Sequence, residues 1–246
     1  MARCPFAKQR ILEPENTRAQ RIIPRTVILH TAVDAPGPTD LARYFDAENI
    51  GAESTFFVHL DGTIDQLMDT EKEADANGSA DKFAISVETE DDSARRGSDI
   101  LPWSGAQMDA LVRLVDWCCA VHAIPRRRAT SARLPGAAGI ACHSQPMRER
   151  FDGTAHNPWT SFQGKTCPGE ARWRQYPTIV ARVAALDVPT PPEDDMTPQQ
   201  AQQLTDLGKA VADLSKKVDA LAVGPGWGHP QGALPLLARI AKKLGA

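Results

Sequence analysis

Cysteine is scarce in this chain of 246 residues, and its count of five is odd. Cys4, Cys118, Cys119, Cys142 and Cys167 do not form the even, regularly spaced set of a disulfide-stapled domain. Long apolar runs are lacking too, which excludes a helix inserted across a membrane. The start, Met1-Ala2-Arg3-Cys4-Pro5, has no apolar segment of secretory type, so synthesis in a cytoplasm is expected. A substrate outside the cell would then need another component to let the protein through. No single sign of charge dominates: the net charge is -3, which excludes a broad electrostatic nucleic-acid binder. What is present is ordinary for a globular protein, 42% hydrophobic and 24% charged residues, with length for one substantial domain plus an appendage.

The apolar periodicities alternate between strand and helix. Residues 1–25 are polar and rich in Arg and Pro, which reads as an irregular arm. Thr26–His30 is a β-branched apolar run expected to be a buried strand. A loop over Ala32–Pro38 and a helix over Thr39–Ala47 follow. Ser54–Leu60 and Thr63–Met68 flank Asp61-Gly62, a hairpin signal. Phe83–Glu88 reads as a further strand. Met108, Leu111, Val112, Val115 and Cys119 recur at helical spacing and predict a long amphipathic helix over Ser104–Ala123. Gly136–Cys142 leads to His143, and a helix over Pro177–Leu186 closes the domain. The expected fold is α/β, a mixed central sheet flanked by helices. Val188-Pro189-Thr190-Pro191-Pro192-Glu193-Asp194-Asp195 has the composition of a linker. Beyond it, Leu204, Leu207, Val211, Leu214, Val218 and Leu221 form a short a/d seam, and Leu234–Leu244 reads as a last helix. This C-terminal segment is mildly basic, with six Lys/Arg from Lys209 to Lys243 against three aspartates.

Three residues stand out chemically. His30 ends the strand Val27-Ile28-Leu29. His143 follows Ala141-Cys142. Cys167 lies two residues after Lys165 in the Gly/Pro-framed loop Gly164–Gly169. Two imidazoles and one thiolate are three ligands for zinc, with a fourth position left for water, the arrangement of a hydrolytic rather than a structural site. The spacings are long and contain no local finger pattern. Taken singly, a strand-end histidine reads as a hydrogen-bonded structural residue and Cys167 as an inert loop thiol.

The order of the surrounding segments adds to this. His30-Thr31-Ala32, Phe56-Phe57-Val58-His59-Leu60-Asp61-Gly62-Thr63-Ile64, Ile85-Ser86-Val87-Glu88-Thr89-Glu90, Ala141-Cys142-His143 and Gly164-Lys165-Thr166-Cys167-Pro168-Gly169 occur in one sequence order. As a set, this resembles the type 2 N-acetylmuramoyl-L-alanine amidases, over about residues 20–187. With Pro158-Trp159-Thr160 it is most like endolysins of phages that infect actinobacteria. The resemblance implies Zn2+ held by His30, His143 and Cys167, an acid at Glu88 and a cation at Lys165. It implies peptidoglycan as substrate, cut at the amide between N-acetylmuramic acid and L-alanine. It further implies a protein made in a host cytoplasm that acts on the wall after membrane permeabilisation. Glu90 is the alternative acid, and one of the two is expected to face solvent. Many members carry a catalytic tyrosine where this chain has Ser54, so the Glu88 type of site is the better match.

The implied domains are an arm at 1–20, a catalytic domain at 21–187, a linker at 188–196 and a helical segment at 197–246 for wall binding or weak self-association. Two rival readings share the fold: a non-catalytic peptidoglycan-binding module, and a virion-associated wall-degrading protein. Other residues have plainer expectations. His59 reads as structural or exposed, His122 as complementing a helix end, His156 as a surface residue and Cys142 as core. Arg126-Arg127-Arg128 with Arg133 reads as a solvated loop or a contact to anionic wall polymer.

Overall fold

The strands form where β-branched and aliphatic runs end at turns. In a computed structural model they are β1 (Lys8–Gln9), β2 (Thr26–Leu29), β3 (Ala32–Val33), β4 (Phe56–Val58), β5 (Ile64–Gln66), β6 (Ala84–Asp91) and β7 (Gly139–Cys142). The α-helices whose ends both lie among the described residues are α1 (Glu13–Arg18), α2 (Gly105–His122), α3 (Gln145–Arg148) and α4 (Glu170–Ala185). The structure describes residues 2–33, 45, 53–92, 99–153, 155–162 and 164–186, and positions 202, 206, 209 and 213. Met1–Val188 groups as one compact unit and Pro189–Ala246 as another.

The sheet runs in the order β1-β5-β4-β6-β2-β7, with β3 paired to the end of β6. The central strands β4, β6, β2 and β7 are mutually parallel, while β4 and β5 form an antiparallel hairpin. This is the mixed sheet with flanking helices that the periodicities predict. At the hairpin turn Gly62 has φ +82°, and a Cβ there would lie 2.8 Å from the Ala106 carbonyl oxygen, so both conformation and space require glycine.

Helix α2 begins with a capping box. Ser104 Oγ accepts from the Gln107 N–H at 3.0 Å, and Gln107 Oε1 accepts from the Ser104 N–H at 3.1 Å. Its buried stripe of Leu111, Val115 and Cys118 packs with Tyr176, Ile179 and Val183 of α4 against Val27, Leu29, Ile85 and Val87 of the sheet. Each fully buried aliphatic side chain contributes about 1.5–3 kcal/mol. Period-two alternation then turns Ile28, Ala84 and Ala141 to the other face, where a smaller cluster forms with Trp159.

Four expectations are corrected. The N-terminal arm is not irregular: Lys8 and Gln9 pair with Asp65 and Gln66, α1 follows, and Cys4 is buried with its N–H on Gln66 Oε1 at 2.7 Å. The loop expected from Ala32 opens with β3. Strand β6 continues past Glu88 to Asp91. The helix that closes the domain starts at Glu170, well before Pro177, which sits inside it. Its first turns are held by buried Arg172 and Tyr176, and tertiary packing outweighs the backbone bond that proline removes.

Within the predicted helix Thr39–Ala47 only Phe45 is described; it is helical and buried. The linker, the heptad seam and the last helix lie outside the described residues. In the second unit Gln202, Asp206, Lys209 and Asp213 are helical and exposed, and Gln202 Nε2 donates to Asp206 Oδ1 at 2.9 Å. No helix among the described residues is long and apolar enough to cross a membrane.

Candidate functional site

Leu29 lies in register with Val87 on one side and Cys142 on the other, all on the helix-packed face. The next residue on each strand, His30, Glu88 and His143, therefore turns to the opposite face at the carboxyl ends of three parallel strands. The ladder continues through this row: the His30 N–H donates to Val87 O at 2.8 Å and the His143 N–H to Leu29 O at 3.2 Å. Cys167 arrives from the loop before α4. Its carbonyl accepts from the Ser144 N–H at 2.9 Å, and its Sγ accepts from the Thr31 N–H at 3.2 Å. The donor atoms of His30, His143 and Cys167 all lie within 4.8 Å of one another, a group able to hold a metal ion.

The tautomers follow from the partners. His143 Nε2 is 2.7 Å from the Trp159 carbonyl oxygen, which can only accept, so Nε2 carries the hydrogen and Nδ1 the lone pair. His30 Nε2 is 2.7 Å from Asn77 Oδ1. Asp81 fixes that amide's orientation, taking the Asn77 N–H at 2.6 Å and its Nδ2–H at 3.3 Å. Both histidines thus turn an Nδ1 lone pair inward. His143 Nδ1 is buried and has no hydrogen-bond partner among the described residues. Leaving such an atom unsatisfied costs about 1–3 kcal/mol. A metal cation fits this donor set, because it needs lone pairs held in place by outer oxygen acceptors.

Burial sets the protonation states. It holds His30 well below the ordinary imidazole range, aided by neighbouring His143, and brings His143 to about 4, aided by the Lys165 ammonium. Both rings are neutral at pH 7. Burial and then the Glu88 carboxylate push the Cys167 thiol up to about 12. The Thr31 N–H and the Lys165 ammonium pull that value down, but burial outweighs them. Burial also raises Glu88 to about 7, against the opposing pull of Lys165 and Arg172. Without a cation, the cluster is a neutral thiol beside two neutral imidazoles.

Glu88 Oε1 lies 3.8 Å from His30 Nδ1, and its Oε2 is buried without a partner among the described residues. Glu90 does not face solvent. Two residues apart on one strand, the two acids leave the same face, with side-chain exposures of 15% and 14%. Glu90 instead accepts the Leu60 N–H at 3.0 Å and lies 3.6 Å from His59 Nδ1. A cleft of about 390 Å³ is lined by His30, Ser54, Glu88, His143, Phe162 and Lys165, among others. The Lys165 ammonium lies 5.9 Å from the Phe162 ring centroid. Ser54 pairs its hydroxyl with Ser86 at 3.0 Å.

The remaining candidates take structural places. His59 is buried and bonded to Asp65 at 3.0 Å. His122 meets the Thr70 hydroxyl at 2.8 Å, and His156 is exposed. Cys118, Cys119 and Cys142 are core. Arg126 pairs with Asp116 and Arg128 with Glu149.

Four site residues carry no reading as such in the sequence: Asn77, Asn157, Trp159 and Arg172. Asn157 donates to His143 O at 2.8 Å. Arg172, fully buried, donates to Thr89 Oγ1 at 2.7 Å, Thr31 Oγ1 at 3.0 Å and Leu101 O at 2.9 Å, and pairs with Asp91 at 3.2 Å. It thereby ties Thr31, which supports the Cys167 sulfur, to strand β6. Only the Pro158-Trp159-Thr160 segment gave a signal, through the resemblance.

The family model described as N-acetylmuramoyl-L-alanine amidase matches residues 19–170, more than half of the chain, and the chain belongs to this family. Among solved structures it is similar to the endolysin amidase LysCS from Clostridium intestinale URNW, with 13% identity over 74% of this chain and 98% of that one and a TM-score of 0.47. A mutant endolysin from Bacillus subtilis gives 16% identity, 72% and 99% coverage and a TM-score of 0.48. The PlyG catalytic domain gives 18%, 76% and 98%, and 0.49. No curated protein matches the chain.

Proposed function

We propose that the chain is a zinc-dependent peptidoglycan amidase that cuts the amide between the lactyl group of N-acetylmuramic acid and L-alanine. The observation that carries this reading is the pair of neutral imidazoles, each tied at Nε2 and open at Nδ1, facing a thiol within 4.8 Å. His30, His143 and Cys167 would hold the zinc. When bound, zinc supplies Lewis acidity, polarising a carbonyl and lowering the pKa of water to about 7.

The chain's own groups complete the chemistry. Glu88 takes a proton from the attacking water and delivers it to the leaving amine of L-alanine. Its low exposure and nearby position suit both transfers. Lys165 lines the same cleft and balances the negative charge that grows on the carbonyl oxygen as the carbon becomes tetrahedral. Ser54 stands at the tyrosine position, so the proton work falls to Glu88. The context we propose is a phage endolysin directed at an actinobacterial wall, with catalysis in residues 21–187 and a helical segment at 197–246 behind the linker.

The test is product chemistry. Isolated cell walls treated with the purified protein release new L-alanine amino termini without new reducing sugars. New reducing ends in place of amino termini would overturn the reading.

A further inference from the structure

At the end of the sheet opposite the reaction cleft, strands β2, β6 and β7 begin at Thr26, Ala84 and Gly139, which stand in register. From Thr26 to His30 the chain advances about 13 Å, at about 3.3 Å per residue. Cations gather at this far end. Arg25 precedes β2, and its N–H donates to the carbonyl of Phe83, the residue after Lys82, at 2.8 Å. Arg127 runs along the outer edge of β7, its carbonyl accepting the Ile140 N–H at 2.8 Å. The Arg133 loop is tied to the same corner. There the Ala137 N–H donates to Arg133 O at 2.9 Å, and the Thr26 hydroxyl donates to Ala137 O at 2.7 Å. Arg25, Lys82, Arg127 and Arg133 are all exposed, and none makes an ion pair among the described residues. Asp116 and Glu71 approach this end but are already paired, with Arg126 and Arg21. In a chain whose net charge is -3, these cations are a local field of opposite sign. Single exposed apolar side chains are ordinary. Two large ones, however, stand among these cations: Ile23, 70% exposed, two residues before Arg25, and Leu134, 45% exposed, next to Arg133.

We propose that this end of the sheet docks on an anionic lipid surface. Arg25, Lys82, Arg127 and Arg133 meet the headgroup phosphates, and Ile23 and Leu134 enter the boundary with the acyl chains. Two features favour a lipid surface over a soluble polyanion. A polyanion would neutralise the cations but leave Ile23 and Leu134 in water, whereas a lipid surface takes up both. The second feature is direction. His30, Glu88 and His143 stand at the carboxyl ends of the same strands, so a molecule lying on lipid by the amino ends keeps its cleft turned away from the surface. The cleft then stays open to a substrate on the far side. This docking goes beyond the amidase reading and involves no hydrolysis.

The test uses the full-length chain and two kinds of vesicle, phosphatidylcholine alone and an equal mixture of phosphatidylcholine and phosphatidylglycerol, at about 0.1 M salt. Sedimentation should show binding to the mixed vesicles about 100-fold tighter. Arg25→Gln combined with Arg127→Gln should weaken that binding about 25-fold, about fivefold for each charge removed. Ile23→Ser combined with Leu134→Ser should weaken it about tenfold and leave binding to soluble polyphosphate unchanged. Both pairs lie at exposed positions away from the cleft, so they should cut isolated walls at the wild-type rate. Equal binding to the two kinds of vesicle overturns the proposal. So does vesicle binding that survives both pairs of substitutions, which would assign it to the basic C-terminal segment. Binding of polyphosphate that Arg25→Gln with Arg127→Gln abolishes, with vesicles left unbound, overturns it in favour of a soluble or wall-borne polyanion. Failure of the amidase reading is seen separately, as walls left uncut by the wild type, because vesicle binding requires no reaction.

Discussion

The rings of His30 and His143 lie 4.3 Å apart between centroids, tilted by 51°, and each turns its Nε2 outward to an oxygen acceptor. Two neutral imidazoles so close, with both Nδ1 atoms inward, are compatible with a shared cation and unfavourable if both are protonated. Several consequences can be measured.

Zinc uptake should release the Cys167 proton. The thiol is pushed up to about 12 while His143 is brought to about 4, so between these values the sulfur is protonated and that ring is not. In a Glu88→Gln background, which removes the other titrating group, apparent zinc affinity should rise about tenfold per pH unit from pH 5 to 8. Competition titrations at fixed ionic strength measure this. An affinity independent of pH would show that Cys167 does not bind as thiolate.

Asn77→Ala should weaken zinc binding by about 10–100-fold, because His30 loses the acceptor that sets its tautomer. Asn77→Asp, which keeps an acceptor, should retain most of the affinity. Equal affinity in Asn77→Ala and the wild type would remove Asn77 from the site.

Glu88→Gln should lower kcat by about 10²–10⁴ while zinc content stays at the wild-type level. A variant that loses its zinc as well would make Glu88 a ligand rather than a proton carrier.

Arg172→Met should destabilise the fold by about 3–5 kcal/mol, since it removes the buried guanidinium that pairs with Asp91 and donates to Thr31, Thr89 and Leu101. Combining it with Asp91→Leu should cost less than Arg172→Met alone. Denaturant unfolding of the three variants decides the matter.

Glu53→Gln should stabilise the fold at pH 8 by about 2 kcal/mol and make little difference at pH 4. The sign follows from a carboxyl whose folded pKa, about 7, is above its unfolded value. Its stabilising share is present at low pH and is lost as pH rises through about 7. Thermal unfolding at the two pH values tests this.

The fold was legible where local pattern and tertiary need agree. Val27, Ile28 and Leu29 read as a buried strand because burial on both faces demands a continuous apolar run, and Asp61-Gly62 read as a turn because only glycine fits. Pro177 misled, because it resembles a helix start, whereas the helix begins at Glu170 under the pull of Arg172 and Tyr176. The arm misled because pairing of Lys8 with Asp65 is a long-range contact with no local signature. In the site, strand ends displayed His30, Glu88 and His143, and alternation put them on one face. The residues that orient them, Asn77 and Trp159, arrive from loops, where sequence has no period to read. Arg172 was hidden because a single arginine in a helix ordinarily lies on the surface.

The most direct test of the central claim is to strip the full-length protein of metal and restore zinc stepwise while following wall hydrolysis. The account predicts that activity returns in proportion to zinc and saturates at one ion per chain, with Cys167→Ala neither retaining the ion nor regaining activity. Full activity in the metal-free protein, or zinc and activity both retained by Cys167→Ala, would contradict it.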